Sequence, residues 1–369
     1  MTATRFRESR SLRSAVADLR DGRPVIVADD CLAGGTYDVV LPAALCDRKW
    51  TAWIVRHSSG LLCAPLTADR ADALGLPPMV WCGADRRHAT YTVSVDAARG
   101  ITTGISAADR SRAAQVLADP GAMSEDLTRP GHLLPLRVVP GGVLEFPGQA
   151  EAAVDLCRLA RLPPVALAAR LVVDTGELAE ADDSAVLAHE TGLRVVHLTD
   201  IISHRLYYGD GERGRVSRVA TSHVATRHGE LQSVSYRDEV TGAHHLCLIG
   251  ESSDASPTVS VHAECVSGQV LGDTSCGCGS HLEAAVEDVA RSGGALVYLR
   301  QAAGRDTAND RTESDAGATG AILVELGYSA VRLAPCGFSP SDVERHDLIV
   351  LPALSPFGVA APFHTQPSP

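Results

Sequence analysis

The chain has 369 residues, 45% of them hydrophobic, with a net charge of −12 and only 4% aromatics. That size fits two domains with a core each, and the acidic balance with few stacking surfaces sets nucleic acid and membrane aside as partners. Lys49 is the only lysine, so there is no phosphate-loop lysine and no other residue for Schiff-base chemistry. The start MTATRFRESR lacks an apolar signal core and no run of 18 apolar residues occurs, so a cytoplasmic location is expected. Ten cysteines in that compartment are expected as thiols and metal ligands rather than disulfides.

In chain order, residues 9–21 read as an amphipathic helix with Leu12, Val16 and Leu19 on one side. Arg23-Pro24 ends it, and the apolar run 25–28 is a buried strand leading to Asp29-Asp30. A Gly-rich loop follows at 31–36, and Thr67 is the expected N-cap of a helix over 68–74. Residues 90–95 alternate as a strand. Residues 102–106 form a turn into a helix reaching about 117, with Ser106 as N-cap and Asp109 in its first turn. Arg129-Pro130-Gly131-His132 reads as another turn, and then helix 150–160, strand 167–173, helix 182–192 and strand 194–198 alternate. That alternation predicts mixed α and β layers on a sheet.

The polar, Gly-rich stretch 207–214 reads as a linker, which gives a first domain over 1–206 and a second over 215–355. Strands over 216–226, 231–238 and 244–249 suggest a meander. Helix 281–291, strand 295–299, a polar loop at 301–315, a helix near 317–326 and strands near 330–333 and 347–351 follow, and 356–369 is a Pro-rich tail. Between these lies a C-x10-C-x-C set, Cys265, Cys276 and Cys278, followed by His281. Thiolates at that density suit a soft metal, with Zn²⁺ first. Three ligands leave an open, catalytic position, whereas His281 as a fourth would close the site into a structural one. Reduced cysteines lining a strand and a helix start are the simpler alternative.

Several stretches carry a family resemblance across nearly the whole chain: GRPVIVADD, RHSSGLLC, LGLPPMV, TVSVDAARGITTGISAADR, RPGHLLPLR and EAAVDLCRLARLPP in the first half, and VHAEC, HLEAAV, YLRQ and LGYSAVRL in the second. The chain resembles the bifunctional riboflavin-precursor proteins, which fuse 3,4-dihydroxy-2-butanone 4-phosphate synthase to GTP cyclohydrolase II. The resemblance implies an α+β chain of two domains, an α+β synthase-like domain and an α/β cyclohydrolase-like one. It implies Zn²⁺ on Cys265, Cys276 and Cys278, and, because the synthase family is typically dimeric, a homodimer.

The departures bear on function. The family's acidic loop, of the form D-R-E-N-E-G-D, helps bind Mg²⁺ and sugar phosphate; here those positions read Leu32-Ala33-Gly34-Gly35-Thr36-Tyr37-Asp38, and only Asp38 survives. The family's metal-binding histidine in G-H-T-E becomes Gln149, a phosphate-binding arginine becomes Phe146 and a catalytic glutamate becomes Arg170. A hard cation needs oxygen ligands, so the Mg²⁺ site and ordinary turnover of ribulose 5-phosphate are expected to be lost. In the second half the arginine before the second zinc cysteine is Ser275, the aspartate between the last two is Gly277, R-Q-E-G-R-G becomes residues 300–305, and the catalytic D-x-R region shortens to Thr312-Glu313-Ser314. Loss of those cationic donors argues against GTP turnover.

What remains suggests a repurposed enzyme, a lyase, isomerase or hydrolase on a small sugar-like or polar metabolite. Asp30, Cys63, His132 and Glu151 are the candidate catalytic residues, and Arg56, His57, Thr103, Ser106, Arg129 and Arg170 the candidate substrate contacts. His132 would be the acid or base with Asp30 or Glu151 as partner. Cys63 would be a nucleophile if Arg56 or protonated His57 stabilised its thiolate. A non-catalytic scaffold or regulator of flavin-precursor synthesis, and a residual synthase, are the alternatives.

Overall fold

Residues 25–28 are apolar at every position, and such a strand needs cover on both faces. A computed structural model, which describes residues 10–31, 35–80, 89–209, 214–252, 254–273, 277–300, 311–335, 339–346 and 348–352, supplies that cover. The chain divides into two compact units near residue 205.

In the first unit α1 (Arg10–Arg20) precedes β1 (Val25–Asp29), and β2 (Thr36–Pro42) returns antiparallel to it. Then come α2 (Arg48–Arg56), β3 (Cys63–Leu66), α3 (Ala68–Ala73) and the short β4 (Thr90–Tyr91) and β5 (Val95–Ala97). α4 (Ala107–Ala118) leads into the long β6 (Leu127–Arg137), and α5 (Gln149–Leu159) into β7 (Ala166–Arg170). α6 (Ala181–Thr191), β8 (Val195–His197) and α7 (Leu198–Tyr208) follow. The strands form one mixed sheet in the order β4-β6-β3-β7-β2-β1-β8, with β5 paired to β6. Alternation sends Val25, Val27, Val40 and Ala168 to one core with α1 and α5. It sends Ile26, Val39, Leu41 and Leu167 to another with α2 and α4. This is the α+β layering that the sequence predicts.

The second unit begins with the antiparallel β9 (Val216–Thr226), β10 (Gly229–Asp238) and β11 (His244–Gly250). After β12 (Thr258–Ala263), the short α8 (Val266–Gln269) and α9 (Cys278–Ser292) lead to β13 (Gly294–Leu299). α10 (Arg311–Glu325), β14 (Ala330–Leu333), α11 (Pro340–Val343) and β15 (Ile349–Pro352) finish the described chain. β12 lies parallel to β13 and β14, and β15 parallel to β14. Arg215 is buried here; it donates to Asp238 at 2.8 Å and to the Ser314 carbonyl at 3.1 Å. Burial opposes ionisation of Asp238, but hydrogen bonds from His245 and Arg215 outweigh it and hold the carboxyl well below its usual range.

Three expectations change. Residues 129–132 lie within β6 rather than in a separate turn, but none of them has a register partner: β5 pairs with Leu133 and then with Thr128, so the stretch between them bulges out of the ladder. The strand expected over 90–95 is two strands. Residues 311–315 are the first turn of α10 rather than loop, because Ser314 is buried as an acceptor for Arg215 and its polarity is met inside the protein. Residues 301–310 and the tail from 356 lie outside the described residues. No helix among the described residues is long and apolar enough to cross a membrane.

On α5, Asp155 is fully buried; it pairs with Arg205 and with Arg158 at 3.1 Å, and accepts from the Val143 N–H at 3.1 Å. Removing one partner of such a group strands a charge in the interior. Asp155→Ala is therefore expected to destabilise the first unit by about 3–5 kcal/mol, read from the urea unfolding midpoint; a loss under about 1 kcal/mol would mean that water reaches Arg205.

Candidate functional site

Register places one group of side chains together. Cys63 faces Leu134 on β6 and Ala168 on β7, and Arg170 faces Asp38 across β7 and β2. Tyr91 faces Leu136. Register puts Asp38 and Arg170 beside Val40 and Ala168 on the face that α5 covers, and Cys63 and Tyr91 interact with each other and with Arg170; His132 is placed separately, by Asp96. Gln149, at the start of α5, reaches the same group through Arg170, whereas Glu151, two residues on, accepts from the Val139 N–H at 3.5 Å and meets neither Arg170 nor His132 in any contact among the described residues.

His132 is bound twice by one carboxylate. Asp96 Oδ1 accepts from the His132 backbone N–H at 2.9 Å, and Oδ2 lies 2.7 Å from Nδ1. A carboxylate only accepts, so Nδ1 carries the proton and Nε2 of the neutral ring is a free acceptor. The ring is 40% exposed while the Asp96 side chain is 8% exposed, so the ring reaches solvent and its partner does not. The partner is thus Asp96, not Asp30 or Glu151. Asp30 instead accepts from the Thr199 N–H at 3.1 Å and from its hydroxyl, at the start of α7. The signal for Asp96 was in the sequence: a carboxylate amid the apolar residues of VSVDA has to find a partner if buried. The register shift between Val95 and Asp96 leaves 129–132 of β6 out of the ladder, and His132 of that stretch meets Asp96.

The 102–106 turn lies against this pair. Asp109 accepts from the Thr102 N–H at 3.2 Å, the Thr102 hydroxyl at 2.8 Å and the Gly104 N–H at 3.0 Å, while Ser106 caps α4 by accepting from the Asp109 N–H at 3.0 Å. The hydrogen bonds, first that from the Thr102 hydroxyl, hold the Asp109 carboxyl below its usual range. Gly104 has φ +90°, and a Cβ there would lie 2.1 Å from Asp96 Oδ2 and 2.6 Å from His132 Nδ1. Only glycine fits. Thr103 and Ser106 are exposed beside it.

The other candidates divide. Arg129 spends its guanidinium on the carbonyls of Leu74 at 2.6 Å and Ser124 at 3.1 Å, so it clamps backbone rather than substrate. Arg56 is exposed at the end of α2, and His57 stacks on Trp53 with ring centroids 4.4 Å apart. Neither favours a Cys63 thiolate: burial and Asp38 push that thiol up to about 11, against a Tyr91 hydrogen bond and Arg170. The nucleophile expected at Cys63 is a neutral thiol at physiological pH. Arg170 donates to Asp38 and, at 2.6 Å, to Gln149 Oε1.

In the second unit Cys265 caps α8 and Cys278 opens α9, both half-buried, while Cys276 lies outside the described residues. Tyr298 donates to Gln269 Oε1 at 2.6 Å, and Gln269 meets His262, whose basicity is lowered by burial and by His281. No group of three or more His, Cys, Asp or Glu side chains is placed to hold a metal among the described residues.

Glu151 has no exposed surface, and its Oε2 has no hydrogen-bond partner among the described residues. Burial pushes its carboxyl up to about 7, from an ordinary value of 4.5. This raised acid contributes stability that is fully present below the unfolded value and lost as pH rises through about 7. Between about pH 5 and about pH 8 the wild type is expected to lose up to about 3 kcal/mol relative to Glu151→Gln, read as diverging urea midpoints. Parallel pH curves for the two proteins would contradict it.

Comparison with known proteins agrees with this two-unit plan. The family model for 3,4-dihydroxy-2-butanone 4-phosphate synthase matches residues 13–204, and that for GTP cyclohydrolase II matches residues 217–316. The riboflavin biosynthesis protein RibBA of Salinispora arenicola is 38% identical over 351 residues, covering 88% of this chain and 83% of that one. RibBA of Rhodococcus jostii is 38% identical over 357 residues, covering 88% and 85%. The crystal structure of RibBX from A. baumannii, a two-domain 3,4-dihydroxy-2-butanone 4-phosphate synthase, superposes with TM-score 0.62 at 27% identity, over 93% of this chain and 99% of that one. A 3,4-dihydroxy-2-butanone 4-phosphate synthase in complex with two magnesium ions is 40% identical with TM-score 0.50, covering 52% of this chain and 95% of that one. With both halves matched in order and 88% of the chain covered at 38% identity, the chain belongs to the family of bifunctional riboflavin biosynthesis proteins.

Proposed function

We propose that the N-terminal unit is an acid–base enzyme, a lyase or isomerase that moves a proton on a carbon next to the carbonyl of a small polyhydroxylated metabolite. The observation that carries this is the His132–Asp96 pair, with the ring exposed and the carboxylate buried. Nε2 takes the proton, and the Asp96 carboxylate stabilises the imidazolium that results. Holding both the backbone and the ring of His132, Asp96 keeps the base aimed without reorganisation during reaction.

We infer that this unit works without Mg²⁺. A divalent cation needs several free oxygen ligands, whereas here the one carboxylate on β2 is bound by Arg170 and the Gln149 amide oxygen by the same guanidinium. Among the described residues, this donor set does not fit a hard cation. For the second unit we keep Cys265, Cys276 and Cys278 as a zinc set in a domain over 215–355; the half-buried thiols of Cys265 and Cys278 at two helix starts support it.

A residual 3,4-dihydroxy-2-butanone 4-phosphate synthase is the second reading, favoured by the names of the relatives and by the retained His132. The two separate cleanly. Incubating the full chain in D₂O with a panel of ketoses and their acids, in EDTA, is expected to give deuterium at the carbon next to the carbonyl. His132→Ala should slow this by about 10²–10⁴-fold, and Asp96→Asn should slow it as well. An unchanged rate in His132→Ala removes the proposal. Formate released from ribulose 5-phosphate only with added Mg²⁺ establishes the second reading instead, and no exchange with any member of the panel favours a scaffold or regulator.

A further inference from the structure

The most unusual cluster on the α5 face is a closed set of three side chains. Asp38 and Arg170 are directly opposite across β2 and β7. The guanidinium donates through Nε to Asp38 and through Nη2 to Gln149 Oε1, the latter at 2.6 Å. Gln149 is 6% exposed, and its amide NH₂ donates to the carbonyls of Thr36 at 2.7 Å and Val27 at 3.3 Å. That pair of carbonyls fixes the amide orientation: flipped, it would aim its oxygen at two carbonyl oxygens and its NH₂ at a guanidinium. The oxygen that remains therefore points at a cation and is spent on it.

The cation itself is not spent. Arg170 keeps 36% of its side chain exposed, and Nη1 has no hydrogen bond among the described residues. Around it stand the Cys63 thiol and the Tyr91 hydroxyl, which interact with each other and add no negative charge near neutral pH. Asp38 balances the guanidinium, so a second anion arriving at Nη1 meets a planar donor edge that is held on two sides and open on the third. Guanidinium of this kind matches carboxylate and phosphate oxygens in geometry as well as charge.

We propose that Arg170 is the resident cation of the N-terminal site, standing where a divalent metal would otherwise be needed, and that its open edge binds an oxyanion of the substrate. Asp38 and Gln149 hold the guanidinium as ligands hold a metal, and the substrate is a small metabolite bearing a carboxylate or phosphate group. This deepens the acid–base reading and rests on it: His132 moves the proton, and Arg170 positions the molecule from which it is taken.

The test is equilibrium binding to the full chain after EDTA treatment, by calorimetry, with malonate in one arm and inorganic phosphate in the other, each with and without Mg²⁺. One-to-one binding of at least one probe is expected, insensitive to Mg²⁺ and weakened at least about tenfold by Arg170→Gln, as for loss of one charge-assisted hydrogen bond. The stronger arm tells carboxylate from phosphate. Arg170→Lys, which keeps the charge and loses the fork, is expected to bind between the two. Binding that requires Mg²⁺, equal binding by Arg170→Gln, or no binding of either probe at millimolar concentration would each overturn the proposal. If Arg170→Gln does not fold by circular dichroism, Arg170→Lys and the Mg²⁺ comparison decide alone. Because no turnover is read, failure here is distinct from failure of the proton-exchange experiment, which depends on His132.

Discussion

The central strands of the first sheet are covered on both faces, and this constraint places everything else in the unit. On β1, β2 and β7 a charged side chain can survive only at a strand end or with its partner beside it. Asp29 and Arg170 are end residues, and Asp38 sits two residues inside β2 directly opposite Arg170. These polar groups are thereby gathered at one end of the central strands, beside the start of α5. Chemistry at this end follows from the core's refusal to hold charge elsewhere.

The exceptions within the interior show the same rule from the other side. Asp155 and Asp238 are almost wholly buried, and each has arginine donors of its own. Asp96 has His132. Glu151 has neither an opposite charge nor a full set of donors, since its Oε2 has no hydrogen-bond partner among the described residues, and its proton affinity rises accordingly, whereas Asp109 is met by several neutral donors. A neutral acid in the first turn of α5 is compatible with the core around it, whereas an ionised one is not.

Much of the fold was legible in the sequence where local signals and burial agree. The unbroken apolar run of β1, the one-sided Leu12, Val16 and Leu19 of α1, and the Ser106 and Thr67 caps all correspond to what forms. β6 was hidden because Pro130 and Gly131 read as a turn. The proline tolerates a strand position that needs no N–H, and Gly131 is required because a Cβ there would lie 2.0 Å from the Val95 carbonyl carbon. β2 was hidden because Asp38 interrupts its apolar run, and only the cross-strand arginine makes that residue tolerable. His132 could be read as a base from its type, but its partner comes from a residue 36 positions away through a bulged pairing, which no local pattern encodes. The cysteine spacing was legible as a motif, while its geometry depends on Cys276, outside the described residues.

The three side chains around Arg170 are also coupled, so that none can be replaced alone without cost to the others. Changing Arg170 alone to an acid places a second carboxylate against Asp38 with nothing between them. Changing Gln149 alone to histidine withdraws an oxygen from the guanidinium and leaves the carbonyls of Val27 and Thr36 sharing fewer donors. Each of these single changes leaves one group of the set short of its partner, so Asp38, Gln149 and Arg170 are expected to change together although α5 and β7 are separate in sequence.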